Sequence, residues 1–445
     1  MKKLALVILS SIIGIVCYAQ TQWTLEDCIN YGLENSYKIK ESILELEARK
    51  VNLNTTSKSI LPSISAQVGQ NFDFGRATLS DNTIGDQSQS STSLGIGLQM
   101  PLFEGLRVYH QKASDKLNVQ AALHDLEQAK ENISLNITAY YLQVILSNEI
   151  LKLAEEQKTI SEDQVNRVQI LVEGGKTSDS DLYDAKATLA TDVVNITKAN
   201  NNFNLAKLDL AQLMNFTDVN SFKVALPAED NIDYLIEVQL DLQDILNKAL
   251  QIRPGIKAAA TRIEKSKRDI KVSKSAYYPS LSLSASYGTG YYYIFSENDI
   301  INSPFGRQLD ANSRGMVSLS LNIPIFNKMR TSGNVQLSRI QLAQYEQSLE
   351  EIKHNYIKEI QQAYYNAIAS RDNYFASQQA VTATNISYQY EEIKYFNGAS
   401  NRYEFNEARL RYQTALSEEV QAKYDFIFRL KILEYYSMEG DNINL

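Results

Sequence analysis

The chain has almost no cysteine. Only two of its 445 residues are cysteines, and one of them, Cys17, lies in an N-terminal segment with the pattern of a secretory signal. Two lysines, an apolar stretch from Leu4 to Val16 and small residues before Gln20 make up this pattern. Removal of residues 1–19 leaves Cys28 alone, which excludes an internal disulfide. We therefore expect an exported protein whose size, and not its cross-links, stabilises the fold.

A second interpretation of this leader stays open. A cysteine near the end of a leader is typical of a lipid anchor, and Cys17 stands at such a place. The residues before it, Gly14-Ile15-Val16, depart from the usual lipoprotein motif. The sequence favours cleavage after Ala19, which gives a mature chain without an anchor, over a surface-anchored lipoprotein.

Long hydrophobic runs and excess positive charge are also absent. No run of ~18 apolar residues follows the leader, so no helix is predicted to span a membrane, and insertion into a bilayer would have to use strands. The full sequence has a net charge of −8, and the mature chain, without Lys2 and Lys3, has about −10. This acidic balance argues against a nucleic-acid partner.

Recognisable catalytic and cofactor motifs are missing as well. Gly175-Lys176-Thr177 looks like the end of a phosphate-binding loop, but Ile170 stands where that loop needs its first glycine. The three histidines, His110, His124 and His354, are scattered over predicted helices and do not form a metal site. No Ser-His-Asp or paired-carboxylate set is recognisable. We predict that the protein is not an enzyme and has no cofactor and no metal.

The main feature that is present is an internal duplication. Three segments recur at an offset of 217 residues that becomes 223, which a six-residue insertion explains. The pairs are Leu25–Asn30 with Leu242–Asn247, Leu61–Ala66 with Tyr278–Leu283, and Met100–Phe103 with Ile323–Phe326. We divide the chain into the signal peptide 1–19, a first repeat 20–216, a linker 217–239, a second repeat 240–438 and a tail 439–445. The acidic linker is predicted to form a connection or a collar around the middle of the helices.

Each repeat contains two predicted strands, at about 60–74 and 91–101 in the first and about 278–293 and 315–325 in the second. Apolar residues occupy one face of each strand, and serine, glycine and glutamine occupy the other. The apolar set includes Ile64, Val68, Leu94, Ile96, Leu98, Leu281, Leu283, Val317, Leu319 and Leu321. Sandwich strands show the same alternation, but the aromatic tract from Tyr287 to Phe295 resembles an interfacial girdle and favours membrane strands.

The strands would have to be shared between chains. Four strands cannot close a barrel, and lipid does not tolerate an open sheet edge. Two chains give eight strands with a filled bore, whereas three give twelve strands with room for water. We expect a trimer, with the polar segments Gly75–Thr92 and Ile294–Arg314 as outward-facing loops.

Long helices account for most of the remaining sequence. A first helix is predicted from a capping signal at Thr24 to about Lys58, and long helices from about Leu106 to Leu171 and from about Ser332 to Phe396. Each long helix would measure about 100 Å. A returning helix follows each of them, so that each repeat forms an antiparallel coiled-coil pair.

Each long helix is separated from its returning helix by a break, which we interpret as the tip of a helical hairpin. The two breaks share residue types at an offset of 223 residues. The matching pairs are Gly175 with Gly398, Thr177 with Ser400, Asp181 with Glu404, and Asp184 with Glu407. Acids at these places have two interpretations, which both stay open. They favour the dipole at a helix start, or, repeated by symmetry, they form a carboxylate ring that attracts cations at a narrow opening.

The duplicated order of helix, strand pair, long helix, tip and returning helix resembles the TolC-type outer-membrane efflux protein family, also called outer membrane factors. The resemblance covers nearly all of the mature chain. It is carried by Pro62 and Pro279 at the strand starts, Pro101 and Pro324 at the strand exits, Arg253-Pro254, and the tip motif Tyr395-x-x-Gly398-x-Ser400. The family is mostly α with a β-barrel part. The resemblance implies a homotrimer in the outer membrane, with a twelve-stranded barrel continued by a long periplasmic α-helical barrel.

The function implied by this resemblance is a passive exit duct of a tripartite efflux pump or a type I secretion system. The implied partners are outer-membrane lipid, a periplasmic adaptor (membrane fusion) protein that opens the duct, and through it an inner-membrane pump. The alternative is a periplasmic coiled-coil adaptor or scaffold without a pore. The alternating strands discriminate between the two, because such an adaptor needs no apolar outward face.

The resemblance also implies roles for residues of the tips. Adaptor docking is implied for Gly175, Thr177, Gly398 and Ser400, and gating of the entrance is implied for Tyr395, Glu404, Glu407, Asp181 and Asp184. The chain departs from the family pattern in having Ser400 where an entrance-closing arginine stands. Arg402 is our candidate substitute. Since the first tip lacks the tyrosine, we expect gating to depend mainly on the second.

Overall fold

The computed structural model describes residues 22–78, 82–218, 222–225, 241–295 and 302–437. The predicted signal peptide, the tail and most of the linker lie outside these residues. None of the helices in these ranges is long and apolar enough to cross a membrane. Of the described residues, those within 1–44, 124–257 and 351–445 form a helical unit, and those within 45–123 and 258–350 form a unit that contains the sheet.

The helices form two series with the same order and similar lengths. The first series is α1 Leu25–Asn35, α2 Tyr37–Lys58, α3 Arg107–Glu173 and α4 Asp179–Leu213. The second is α5 Leu242–Ile252, α6 Pro254–Lys274, a short extra helix α7 Phe305–Ala311, α8 Arg330–Phe396 and α9 Arg402–Ser437. Both α3 and α8 have 67 residues, close to the predicted lengths. The repeat boundaries at 20–216 and 240–438 stay a prediction.

The first helix is not continuous, so the prediction of one helix from Thr24 to Lys58 was wrong. The capping box was correct, since the Thr24 side chain accepts from the Asp27 N–H and the Asp27 carboxylate accepts from the Thr24 N–H. The helix breaks at Ser36, whose ψ of 131° is extended. The second series breaks at Arg253-Pro254, where proline disfavours a helical conformation in the residue before it. The first break has no proline, and the sequence therefore did not reveal it.

In the described residues, six strands lie in two antiparallel sheets. They are β1 Ser63–Asp73, β2 Arg76–Thr78, β3 Ile84–Asp86, β4 Ser88–Glu104, β5 Ser280–Phe295 and β6 Arg314–Asn322. The main sheet has the order β1-β4-β5-β6, and β2 pairs with β3 in a separate hairpin.

Several strand predictions need correction. The two segments predicted as loops contain β2, β3 and α7. Strand β4 extends at both ends beyond the predicted 91–101, with a bulge between Pro101 and Phe103. Strand β6 ends at Asn322 instead of 325, which leaves Pro324 outside the strand.

The register of the main sheet collects the apolar side chains on one face. In one row, Ile64 lies opposite Leu98, Leu98 opposite Ala285, and Ala285 opposite Val317. The adjacent row, which faces the other way, is Ser63, Gln99, Ser284 and Ser318. On the apolar face, Ile64 and Val317 are 70% and 76% exposed. The predicted alternation is therefore present in all four strands, and the single chain leaves its apolar face uncovered.

Arg253, from the Arg253-Pro254 motif, is buried in the helical unit and joins three helical segments. Arg253 is 1% exposed, and its Nη1 lies 3.1 Å from Oε2 of Glu131 on α3. Its Nη2 donates to the carbonyl oxygen of Tyr435 on α9, and the Tyr435 hydroxyl donates to Glu131 Oε2 at 3.0 Å. The motif thus fixes the break between α5 and α6 against α3 and the end of α9.

Part of the predicted linker contacts the start of the chain. Residues 217–218 and 222–225 are its described portion, and Val224 forms a parallel β-bridge with Trp23. The Tyr141 hydroxyl on α3 donates to the carbonyl of Ala225 at 2.6 Å. This segment is therefore packed on the helical unit, and its role as a collar stays a prediction.

Candidate functional site

The two tips end their long helices with the same backbone motif. In each, the glycine N–H binds the carbonyl three residues back, and the next N–H binds the carbonyl five residues back, at 2.8 to 3.1 Å. These are the bonds of a Schellman motif, which needs a left-handed residue. Gly175 and Gly398 supply it with φ of 68° and 72°. A Cβ at either glycine would meet nothing within 4 Å, so the backbone conformation, and not the space, requires glycine.

Gly398→Ala is expected to destabilise the tip by about 1–2 kcal/mol, because alanine is strained in the left-handed region. Gly398→Asn should cost less, since asparagine visits that region. The measurement is amide hydrogen exchange at residues 394–400. Gly333→Ala is the control, because Gly333 lies in the first turn of α8 without positive φ and its added Cβ meets nothing. Equal losses for alanine and asparagine would contradict the conformational explanation.

The residues after each glycine start the returning helix with matched contacts. Thr177 Oγ1 donates to Asp181 Oδ2 at 2.6 Å, and Ser400 Oγ donates to Glu404 Oε2 at 2.9 Å. Asn401 Oδ1 accepts from the Glu404 N–H at 3.0 Å and caps α9. The overlaid pairs Thr177 with Ser400 and Asp181 with Glu404 therefore make equivalent contacts. The two hydroxyl groups assigned to docking are bound within their own tips.

An arginine joins the two hairpins of one chain. Arg402, at the start of α9, places Nη1 2.6 Å from Asp184 Oδ2 and 3.3 Å from Asp181 Oδ1, both on α4. The side chains of Arg402, Asp181 and Asp184 are 21%, 27% and 62% exposed. Hydrogen bonds from Thr177 and Ser178, with Arg402 adding to them, lower the pKa of Asp181 to about 2. We call the contact of Arg402 with Asp181 and Asp184 the tip link.

Tyr395 lies beside the tip link. Its ring stacks on Phe405 with centroids 4.9 Å apart and an interplanar angle of 13°. A small cavity is lined by Tyr395 together with Asp181, Arg402 and Phe405. Burial raises the pKa of Tyr395, Asp181 raises it further, and Arg402 opposes the shift. The structure thus brings together four of the predicted gating residues, which are Tyr395, Arg402, Asp181 and Asp184.

The two glutamates predicted to gate do not join this contact within one chain. Glu404 is exposed and accepts from Ser400. Glu407 pairs with Arg411 one turn further along the same helix. Their role as a ring would depend on other copies of the chain, and it stays a prediction.

The sequence reasoning missed a buried polar cluster two turns along α9 from Arg402. Arg409 Nη1 donates to Ser161 Oγ at 3.1 Å, and Nη2 lies 4.0 Å from Asp192 Oδ2. Ser161 in turn donates to Asp192. The side chains of Arg409 and Asp192 are only 11% and 7% exposed. We call Ser161, Asp192 and Arg409 the inner pin.

A sequence signal for the inner pin did exist. Arg402, Phe405, Arg409 and Tyr412 step by three, four and three residues along α9, which is the spacing of a coiled-coil seam. A charged residue at a seam position indicates a buried partner on a facing helix. No local pattern, however, names Asp192 as that partner.

These features define a duplicated protein of long helical hairpins that carries a small antiparallel sheet. The family model described as outer membrane efflux protein matches residues 29–215 and, a second time, residues 245–430. The chain belongs to this family. The resemblance identified from the sequence is thereby confirmed.

Individual relatives are distant but cover most of the chain. The outer membrane efflux protein BepC of Brucella suis is 21% identical over 364 residues, covering 82% of this chain and 74% of BepC. The outer membrane protein TolC of Escherichia coli is 20% identical over 434 residues, covering 96% and 84%. Some efflux-pump relatives are matched over only 65% of their own length. A solved structure of the channel protein CusC superposes with a TM-score of 0.77 at 18% identity, covering 96% of both chains.

Membership in this family decides between the two functions left open by the sequence, an outer-membrane efflux protein and a periplasmic adaptor. The chain is an outer-membrane efflux protein, as predicted, and nothing supports the alternative of a periplasmic adaptor without a pore. The family is one of transport proteins and not of enzymes.

Proposed function

We propose that three copies of this chain form a passive duct through the outer membrane, closed at rest by its helical tips and opened by a periplasmic adaptor protein. The observation that carries the proposal is the architecture of the main sheet. One face is apolar and exposed, the other is formed by mostly small polar side chains, and the two outer strands run in opposite directions. Such a sheet is a third of a barrel with a lipid-facing exterior and a polar bore.

The strand order supports closure between copies. Strands β1 and β6 are the outer strands of the main sheet and run in opposite directions. The β6 strand of one copy can therefore pair antiparallel with β1 of the next. Three copies give twelve strands, and a barrel of that size has room for water. As the family resemblance implies, the long helices of the three copies would form a periplasmic helical tunnel.

Leu319→Arg and Ser320→Arg test this arrangement, because these neighbours in β6 point to opposite faces. Leu319→Arg is expected to cost about 2–4 kcal/mol of insertion free energy, as arginine on a lipid-facing strand does. Ser320→Arg should insert normally but reduce the conductance of each channel. Flotation with liposomes measures insertion, and planar-bilayer recording measures conductance. The opposite assignment of the two effects would contradict the proposed faces.

The proposed partners follow the family. A periplasmic adaptor would dock on the tips at Gly175, Thr177, Gly398 and Ser400 and connect the duct to an inner-membrane efflux or secretion pump. The support is the identical backbone motif at both tips, which presents two equivalent docking points per chain. Gly398→Asn keeps the backbone conformation but adds a side chain. It should therefore weaken adaptor-dependent efflux in cells while the conductance of the purified protein stays unchanged.

The proposed gate combines the tip link and Tyr395 with a ring of Glu404 and Glu407. In a trimer these two glutamates supply six carboxylates, which would bind multivalent cations at the opening. Changing both to alanine is expected to weaken block by a trivalent cation at least about tenfold, as loss of roughly 1.4 kcal/mol of binding would. Glu418→Ala, at an exposed position further along α9, is the control. Unchanged block in the double variant would remove the two residues from the opening.

A further inference from the structure

The inner pin places a buried ion pair between the two hairpins of one chain. Ser161 lies on α3 and Asp192 on α4, whereas Arg409 lies on α9 of the other hairpin. The Ser161 hydroxyl accepts from Arg409 and donates to Asp192, so all three groups are held in one connected arrangement. This contact therefore joins one position on α9 to one position on each of α3 and α4.

A buried ion pair of this kind is poorly explained as a source of stability. Taking both charges out of water costs about as much as their attraction returns, and apolar residues of similar size would stabilise the contact equally well. What a polar group in an apolar seam does well is specify register. The neighbouring seam residues Phe405 and Tyr412 offer apolar surface, which can slide along a groove with little loss. Arg409 has its two partners at one position only.

The inner pin and the tip link differ in their access to water. In the tip link Asp184 is 62% exposed, and Asp181 and Arg402 are 27% and 21% exposed, so water and salt can reach these groups when the link opens. Arg409 and Asp192 are 11% and 7% exposed, and separating them would leave two buried charges without their counter-ions. The tip link is therefore suited to open and close, and the inner pin is suited to remain formed.

We propose that Arg409 is a positioning residue that holds α9 in a single register against α3 and α4, whether or not the tip link is formed. This inference rests on the proposed function, because it assigns the moving part of the gate to the tip and the fixed part to the inner pin. Arg409 would keep the second hairpin aligned while Arg402 releases its carboxylates.

The register can be measured directly by electron–electron double resonance between spin labels at Val194→Cys on α4 and Leu410→Cys on α9. Both native side chains are exposed. Cys28 is fully buried, and burial raises its pKa to about 12, so it does not compete for the label. Labelled chains are diluted with unlabelled ones so that one chain per assembly carries spins. The protein with its native Arg409 should give one narrow distance.

Three variants test the assignment. Arg409→Met, which fills similar volume without a charge, should at least double the width of the distance distribution or split it in two. Arg409→Lys, which can still pair with Asp192, should stay close to the native width, and so should Arg402→Ala. A native width in Arg409→Met, or an equally broad distribution in Arg402→Ala, would overturn the proposal.

A double variant separates positioning from ordinary packing. Asp192→Leu with Arg409→Met removes both charges, so its thermal unfolding temperature should return towards the native value. Its distance distribution should nevertheless remain broad. If stability and width recover together, the inner pin only fills space and the proposal fails. The double variant also keeps the test decisive if Arg409→Met alone does not fold.

The distances between the spin labels are measured in detergent, and the measurement does not require a conducting channel. If the native protein forms no channel in bilayers, the proposed function is contradicted. The width of the spin-label distance distribution would still decide the role of Arg409. Conversely, if the native protein conducts and Arg409→Met leaves the width of the distance distribution unchanged, only this inference is contradicted.

Discussion

Replacing Arg402 with alanine is expected to raise the resting conductance of the reconstituted channel about tenfold. A partly exposed ion pair contributes on the order of 0.5 kcal/mol. Three copies opening together would then lose about 1.5 kcal/mol, which is roughly a factor of ten in the equilibrium between closed and open tips. Planar-bilayer recording at fixed voltage and salt measures the change.

Arg429→Ala is the matched control for Arg402→Ala. Arg429 lies on the same helix, but it pairs with Asp425 of its own helix and is 33% exposed. Its loss should leave the resting conductance unchanged. Higher salt should raise the resting conductance of the native protein by screening the tip link, and this effect should be smaller in Arg402→Ala. An unchanged conductance in Arg402→Ala would show that the tip link does not hold the entrance closed.

Replacing Arg253 with methionine is expected to cost about 3–5 kcal/mol of stability, because it takes the Arg253 cation away from the buried Glu131 carboxylate. The Tyr435 carbonyl also loses a charged donor. The loss should appear as a lower urea midpoint for the helical signal in detergent. This is the largest stability effect that we expect from a single substitution in the chain.

Arg371→Met is the control for Arg253→Met. Arg371 pairs with the adjacent Asp372 on the surface of α8, where the two side chains are 41% and 63% exposed. Its loss should change stability by no more than about 0.5 kcal/mol. Equal midpoints for Arg253→Met and Arg371→Met would contradict a structural role for the buried cluster.

The sequence predicted the long helices well, because an amphipathic seam and a terminal glycine define each of them. The predicted ends at about 171 and 396 compare with observed ends at Glu173 and Phe396. The break at Arg253-Pro254 was visible through its proline. The break at Ser36 was not, because no proline marks it and Ser36 is a buried residue whose surroundings the sequence does not reveal.

The segments between strands were the least predictable part of the fold. Helix α7 is held by side chains, since Gln308 bonds both the N–H and the carbonyl of Tyr292 on β5. Asn312 donates in the same way to the carbonyl of Gly290. These amides occupy positions along β5 beyond Gly288, where its pairing with β6 ends. Such contacts depend on the strand already being in place, so the sequence of α7 alone does not reveal them.

The candidate site was predictable where it depends on repeated local chemistry. The glycines, hydroxyls and acids of the tips were found by overlaying the two repeats. Arg402 was named as a substitute, but its partners Asp181 and Asp184 came from the structure. The inner pin was missed, because Arg409 and Asp192 are more than 200 residues apart in the chain and no periodicity relates them.

Single-channel recording of the purified native protein in a planar bilayer shows directly whether three copies form a duct. A trimeric duct should give discrete and equal current steps, small at rest because the tips are closed, each step corresponding to the insertion of one trimer. A bilayer that stays at its baseline current, although the protein has been shown to insert into liposomes, would contradict it.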